Sequence, residues 1–377
     1  MPARFAYISF DNVPAPKGAA THIEAFTRAI AAHFGAVELV TVSDVESHAE
    51  RWSGVFHTEL PGVGRSLIDR VLCFRQFLDR WLAGRTLEAI QFRSIFEGLP
   101  LLRLRPRPKL IFEVNGLPSI ELKDRYPTVA DDRELMTKLR SQESACLQAA
   151  DRIVTPSGVT ARYLVEHRGV DAAKVRVIPN GVDVELFHPS GQAEAPAPQD
   201  RLLYFGTLSQ WQGVDLAVRA AAQISAKLTI LGAGSSRQRE AISALAHKLG
   251  APVDVLPPVS QTDLVAALHQ SFVVLAPLTL SERNIVQGCC PLKILESMAA
   301  GIPVIASDLP VVRELDVQCL LVKPGSVDQI AQAVLQLRAS PELWRTLSAE
   351  GRRQIEERYT WDRAATTLVA VYNEISS

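Results

Sequence analysis

Short apolar runs alternate with helix-period segments along the whole chain. Runs at 4–10, 37–42, 89–92, 109–114, 152–155 and 175–178 form a first series, and 202–205, 227–231, 253–256, 272–276 and 304–306 a second. Strand-length runs separated by helical patterns predict parallel sheets wrapped by helices. Between the series, 187–200 is rich in Pro and Ala and lacks apolar periodicity, which predicts a linker. No solenoid-length repeat is present, so the expected fold class is α/β, with two doubly wound Rossmann-like domains facing across a cleft. The expected bounds are 1–186 for the N-terminal domain, 187–200 for the linker and 201–361 for the C-terminal domain.

Composition adds little to this pattern. At 377 residues, 47% hydrophobic, with 40 Lys+Arg against 41 Asp+Glu, the chain reads as an ordinary globular protein without a nucleic-acid footprint. The first apolar run is too short for a secretion signal and runs into Asp11-Asn12, and no run approaches a membrane span. Five cysteines (Cys73, Cys146, Cys289, Cys290 and Cys319) lack paired metal-ligand spacing and fit reduced thiols in the cytoplasm. Cys289-Cys290 reads as small apolar filler more readily than as a redox or metal pair.

The stretch 288–310 (GCCPLKILESMAAGIPVIASDLP) carries the most chemistry. Pro291 suits a first helical position, Leu292, Ile294, Leu295, Met298 and Ala299 follow the helical period, and Gly301 sits where a left-handed cap is wanted. A helix is therefore expected from Pro291 to about Ala300, followed by a buried strand. Free N–H groups at its start, with Lys293 in the first turn, favour an anion and suggest a nucleotide site. Lys293 and Glu296 project from one side, and a solvated surface pair is the competing reading.

At the other end, the loop 11–20 contains Pro14, Pro16 and Gly18 and leads into Thr21-His22-Ile23-Glu24, which has capping-box form. Gly18 either lets backbone approach a ligand or is a plain turn residue. His22 either faces the cleft or is a partly exposed helix residue. Glu113 and Asn115 fall at the carboxyl end of a strand, where open α/β sheets bind ligands, although Asn115-Gly116 also suits a turn.

Five segments in order resemble the retaining glycosyltransferases of family 4, which have the GT-B fold. They are 177–183 (VIPNGVD) with Phe187 and Pro189, 204–215 (YFGTLSQWQGVD), 231–234 (LGAG), 288–310 in the place of an E-x7-E helix, and Tyr359-Thr360-Trp361 followed by Ala364, Leu368 and Tyr372. The resemblance implies that Glu296 binds ribose hydroxyls and that amides around Leu292 and Lys293 hold the sugar or diphosphate. The turn Gly206-Thr207 would approach the diphosphate, and Leu231-Gly232 with 256–259 would enclose the base. Gly18 would close over the phosphates, and Asn115 would lie near the reacting sugar, with Glu113, His22 and Lys293 as further catalytic candidates. A terminal helix at 362–377 would pack back on the N-terminal domain.

Three positions depart from the family pattern. Gly288 stands where a donor-contacting glutamate is usual, Thr207 where an arginine is, and Gln212 where a lysine is. A departing diphosphate in a desolvated cleft is costly without cations, so Lys293 first and Arg283 second are the expected substitutes, with Glu282 or Asn284 contacting the sugar. Trp211 beside Gln212 marks either a reorganised loop or simple packing.

The activity implied is transfer of a glycosyl unit from a nucleoside-diphosphate sugar to a carbohydrate, lipid-linked or small-molecule acceptor, as in polysaccharide biosynthesis, with no metal and no cofactor beyond the donor co-substrate. The acceptor would bind the N-terminal domain. There the segment 44–70 and the basic run Arg103, Arg105, Arg107 and Lys109 could meet lipid-linked or anionic molecules, against a solvated loop as the plainer reading. The expected setting is the cytoplasm, or peripheral contact with the inner face of the membrane. Rival readings are a GT-B nucleotide-sugar epimerase or phosphorylase, and a non-catalytic nucleotide-sugar-binding partner subunit.

Overall fold

A computed structural model describes residues 4–125, 131–190 and 201–376, so 191–200 of the expected linker lies outside the described residues. The chain divides into unit 1 (Met1–Ala15, Ala19–Pro179 and Ala364–Ser377) and unit 2 (Pro16–Gly18 and Asn180–Arg363). Apart from the short excursion Pro16–Gly18, the passage from unit 1 to unit 2 thus falls after Pro179, where the expected bound was 186. Its cause is local: Asn180 Nδ2 donates to the Cys290 carbonyl at 2.8 Å, and Arg352 donates to the carbonyls of Val184, Phe187 and Ala299 at 3.1, 2.6 and 2.7 Å. These bonds tie 180–187 to unit 2.

Unit 1 is built on β1 (Phe5–Ile8), β2 (Val37–Ser43), β3 (Ser47–Trp52), β4 (Val55–Pro61), β5 (Ala89–Phe92), β6 (Lys109–Glu113), β7 (Arg152–Thr155) and β8 (Val175–Val177). Their order is β3-β4-β2-β1-β5-β6-β7-β8, parallel except for the β3/β4 hairpin. Unit 2 is built on β9 (Arg201–Thr207), β10 (Lys227–Ala233), β11 (Val253–Leu256), β12 (Val273–Ala276), β13 (Val304–Ser307) and β14 (Leu320–Val322). All its pairs are parallel, in the order β11-β10-β9-β12-β13-β14.

Each apolar run read from the sequence is a strand. β3, β4 and β14 have no counterpart among those runs. β3 is a polar strand at the sheet edge, and β14 has three residues, too few to display a period. By contrast β1, β12 and β13 are buried at every position, as strands covered by helices on both faces must be.

Strand order reverses beside β1 in unit 1 and beside β9 in unit 2, which makes the carboxyl ends of β1 and β5, and of β9 and β12, the edges suited to ligands. At the second edge the loop after β9 closes on Gly213, whose φ is +66° and whose Cβ position is filled by the Pro277 carbonyl. A side chain there strains the backbone and pushes this loop off β12. Gly213→Ala is expected to lower the stability of unit 2 by about 2–3 kcal/mol, read from the urea midpoint of its transition.

Candidate functional site

The helix of the E-x7-E-like stretch spans Leu292–Ala299, one residue inside the expected bounds. Pro291 has φ −77° and ψ 99°, so it precedes the helix instead of opening it, and its carbonyl accepts from the Ile294 N–H at 3.0 Å. Gly301 comes after it with φ +73°, as a left-handed cap requires. Lys293 and Glu296 are 7% and 8% exposed, which disposes of the solvated surface pair.

The Lys293 ammonium donates to Gln212 Oε1 at 2.8 Å and lies 3.8 Å from the centroid of the Tyr204 ring. It also lies against Gly206, at the end of β9. No carboxylate is within ion-pairing distance of it among the described residues. Burial drives its pKa down to about 7 against the smaller pull of Cys289 and Glu296. Burial likewise raises Glu296 to about 7 against the field of Lys293, and its carboxylate has no hydrogen-bond partner among the described residues. One neutral amide and a ring face leave this cation under-compensated, and the carboxylate nearby accepts no donor.

The loop before the helix is braced by its own side chains. Arg283 donates from a guanidinium nitrogen to the Gly288 carbonyl at 2.6 Å. Gly288 has φ +83° and ψ 168°, a conformation open essentially to glycine alone, which explains physically why a glutamate is absent there. Asn284 is buried and donates to the carbonyls of Trp211 and Thr279 at 2.8 and 2.9 Å, so its amide hydrogens are spent on the loops after β9 and β12. Glu282 is exposed, and Trp211 is buried, which favours packing as its role. Thr207 is exposed, while its carbonyl accepts the Tyr204 hydroxyl at 2.6 Å. Gly232 is buried in β10, and Leu208 presses on its Cα.

Unit 1 carries a second constellation at the ends of β1, β5 and β6. Glu113 is buried and receives Tyr7 Oη at 2.6 Å and Gln91 Nε2 at 2.5 Å on one oxygen. Arg93 Nε at 3.0 Å and Asn115 Nδ2 meet the other. His22 Nε2 lies 2.8 Å from that same oxygen, within ion-pairing distance. Burial pushes the Glu113 carboxyl up, but His22 and Arg93 outweigh it and hold the pKa at about 2. Glu113, Asn115 and His22 are therefore brought together, with Glu113 at the centre and closed to solvent.

Sequence reasoning missed Tyr7, Gln91 and Arg93, and gave Tyr372 no polar role. Arg93 bridges Glu113 to Asp11 at 2.9 Å, and Tyr372, in the helix Trp361–Ser376, donates to Gln91 Oε1 at 2.9 Å. An arginine directly after β5, ahead of the Ser94/Glu97 capping box, was the available signal. The Thr21/Glu24 capping box is corrected: the helix spans Gly18–Phe34, so Gly18 opens it and Thr21 already lies inside. In the basic run, Arg105 and Arg107 donate to nearby carbonyls while Arg107 and Lys109 face Asp151, which is the plainer of the two readings. The five cysteines are not joined in disulfides. Among the described residues no cluster of three His, Cys, Asp or Glu is placed to hold a metal, and no helix is long and apolar enough to cross a membrane.

Known families match both halves of the chain. A profile described as Glycosyltransferase Family 4 matches residues 16–186, and one described as Glycosyl transferases group 1 matches 199–340. The chain belongs to the family 4 glycosyltransferases. Among the relatives of this glycosyltransferase-family chain is D-inositol 3-phosphate glycosyltransferase of Saccharomonospora viridis, 29% identical over 67% of the chain and 62% of that protein. Its Mycobacterium marinum counterpart is 27% identical over 61% and 51%. The chain thus spans about half to three-fifths of the length of these relatives. Sucrose-phosphate synthase from Thermosynechococcus elongatus is similar in structure, with a TM-score of 0.84 at 21% identity over 99% of the chain and 98% of that protein. Anabaena HepE in complex with UDP and glucose gives 0.74 at 14% identity over 98% and 100%. These likenesses establish the two-domain GT-B fold.

The buried charges give this family member a distinct pH signature. Lys293 has a folded pKa below that of free lysine, so unfolding takes up a proton between about 7 and 10.5, while Glu296 has one above 4.5, so unfolding releases a proton between 4.5 and about 7. Both penalties are complete only near neutrality. The double variant Lys293→Met/Glu296→Gln is expected to gain about 1–4 kcal/mol at pH 7, with the gain shrinking toward pH 4.5 and pH 10.5 in thermal melts. Glu113 has the opposite sense: its depressed pKa stabilises the fold above pH 4.5, and this is lost as pH falls toward about 2. Glu113→Ala, which leaves Arg93 and His22 facing a void, is expected to cost about 3–5 kcal/mol in urea titrations at pH 7.

Proposed function

We propose that unit 2 holds the nucleoside diphosphate of a sugar donor, and that the chain moves the sugar to an acceptor hydroxyl with retention of anomeric configuration and without a metal ion. The observation that carries this reading is the Lys293 ammonium, buried beside Gly206 at the end of β9 with a neutral amide as its hydrogen-bond partner. A phosphate oxygen is the chemistry that would complete its coordination. Glu296, on the same helix and without a donor, suits vicinal ribose hydroxyls. Family membership supports the transfer, as does the name of the inositol 3-phosphate glycosyltransferases.

In such a transfer the C–O bond to the diphosphate breaks, a bond to the acceptor oxygen forms, and the acceptor proton passes to a departing phosphate oxygen. Catalysis requires that the developing charge be held more tightly than the ground state, which is the role of Lys293 and the amides near Leu292. The acceptor, a carbohydrate, a lipid-linked sugar or a small polyol phosphate, is assigned to unit 1, with Asn115, His22 and Arg93 as its polar contacts and Glu113 holding them in place. The setting proposed is the cytoplasm, at or near the inner membrane face, in polysaccharide or glycolipid assembly.

A thermal-shift screen of UDP-, GDP-, ADP- and TDP-sugars tests the donor. One nucleotide class should stabilise the protein by about 2.7 kcal/mol at roughly 100 times Kd. Turnover with that donor, inositol 3-phosphate and oligosaccharide acceptors, monitored by proton NMR, should yield a product with the donor's anomeric configuration and an unchanged rate in EDTA. An inverted product or loss of activity in EDTA would overturn those parts of the reading. Binding without product for any acceptor would leave a non-catalytic partner subunit.

A further inference from the structure

From residue 111 to residue 120 every position is buried except Asn115 and Gly116, which are half-buried. These two form the turn between β6 and the helix Pro118–Arg125. The near side of the turn is tied to β7, where the Val114 N–H donates to the Val154 carbonyl at 2.7 Å. Its far side is held from two other helices of unit 1. Glu143, fully buried on the helix Arg133–Ala149, accepts the Ser119 N–H at 2.7 Å on one carboxylate oxygen and the Ser119 hydroxyl at 2.8 Å on the other. Arg168, the last residue of the helix Gly158–Arg168, donates to that second oxygen at 2.9 Å from a side chain that is 9% exposed. In the first turn of the Pro118 helix, proline has no N–H, and the N–H groups of Ile120 and Glu121 both bond the Leu117 carbonyl. The Ser119 N–H is thus a first-turn donor that Glu143 satisfies from another helix. On the same helix, the Glu121 carboxylate fills the place where a Cβ on Gly116 would stand.

We infer that Glu143, Ser119 and Arg168 are positioning residues for the acceptor, a buried clamp that fixes the Asn115-Gly116 turn against which the acceptor's hydroxyl groups bind. The clamp rests on the assignment of the acceptor to unit 1. Asn115 Nδ2 meets Glu113, which leaves its Oδ1 to accept a hydroxyl. The three clamp residues act through the turn and do not touch the acceptor themselves. A buried ion pair seldom adds stability over apolar packing of the same volume; what it supplies here is direction, applied to a helix start just past Asn115. A turn that is already fixed loses less freedom when a ligand binds, so the clamp acts on acceptor affinity and leaves the donor in unit 2 unaffected.

Two variants of the full chain, checked for cooperative melting, test this. Ser119→Ala removes the hydroxyl bond and keeps the Glu143–Arg168 pair, while Ser119→Thr keeps the hydroxyl. Amide hydrogen exchange reads the turn. Steady-state kinetics read the site, with whichever of the UDP-, GDP-, ADP- and TDP-sugars, and of inositol 3-phosphate and the oligosaccharides, supports turnover. Ser119→Ala should speed exchange across 114–121 by about tenfold and raise the acceptor KM about fivefold, with kcat and the donor KM within about twofold of wild type. Ser119→Thr should return both readings to within about twofold of wild type. A merely structural defect would lower the active fraction, hence kcat, without separating the two KM values. Unchanged exchange across 114–121 in Ser119→Ala overturns the clamp, and faster exchange with a wild-type acceptor KM overturns its role in acceptor binding. Should Ser119→Thr not melt cooperatively, the Ser119→Ala result decides alone. A wild-type protein that binds donor and turns over no acceptor removes the acceptor assignment itself, and this inference with it.

Discussion

A charge removed from water must be met by other charges or dipoles within a few ångströms, and the two units satisfy this constraint to different degrees. Glu113 is surrounded by Tyr7, Gln91, Arg93, Asn115 and His22, so its negative charge is settled inside unit 1. Lys293 has one amide, one ring face and a carboxylate on its own helix that does not pair with it. The first arrangement is complete and rigid. The second is short of negative charge, and that shortage is what a phosphate-bearing ligand relieves. Such an arrangement lowers the stability of the empty protein, the usual relation between a prepared site and the fold that carries it.

The sheets decide where these charges lie. Parallel strands covered on both faces leave only their ends for chemistry, and the reversal of strand order opens one position at the carboxyl edge of each sheet. Tyr7, Arg93 and Glu113 stand on or just beyond neighbouring strands β1, β5 and β6, while Tyr204 and Gly206 belong to β9. Register therefore fixes the distances among them before any loop contributes. Loop residues then brace the arrangement, as Arg283 does for Gly288 and Asn284 for Trp211 and Thr279.

Much of this was legible in the chain because buried parallel strands are written as continuous β-branched runs, and helix ends as Pro and Gly. What escaped was information that sequence carries only jointly. Lys293 and Glu296 at spacing three look the same on a wet helix and in a buried seat; only the packing around them separates the cases. Gly288 read as a lost carboxylate, whereas its backbone angles call for a glycine. The partners of Glu113 lie 22, 20 and 106 residues away in Gln91, Arg93 and Tyr7, and no local pattern links them. Tyr372 occupied an apolar position in a helical repeat, and its hydroxyl's partner was invisible. Even the one-residue slip at Pro291 has this character, since the ring fixes φ and leaves ψ to the packing of the next turn.

The Tyr372 hydroxyl and the Gln91 side-chain oxygen Oε1 are joined across 281 residues of chain. Protein synthesis is vectorial, so Gln91 leaves the ribosome on the order of tens of seconds before Tyr372 does. During that interval the Glu113 network exists without one of its outer braces. Unit 2 is in a similar position: the carbonyls of Val184 and Phe187 wait for Arg352, 168 and 165 residues later. Neither unit reaches its final bonding while the nascent chain is short. The long-range latches of both units thus form late relative to the sheets they brace, in the span between residues 352 and 372, after every described strand has been synthesised.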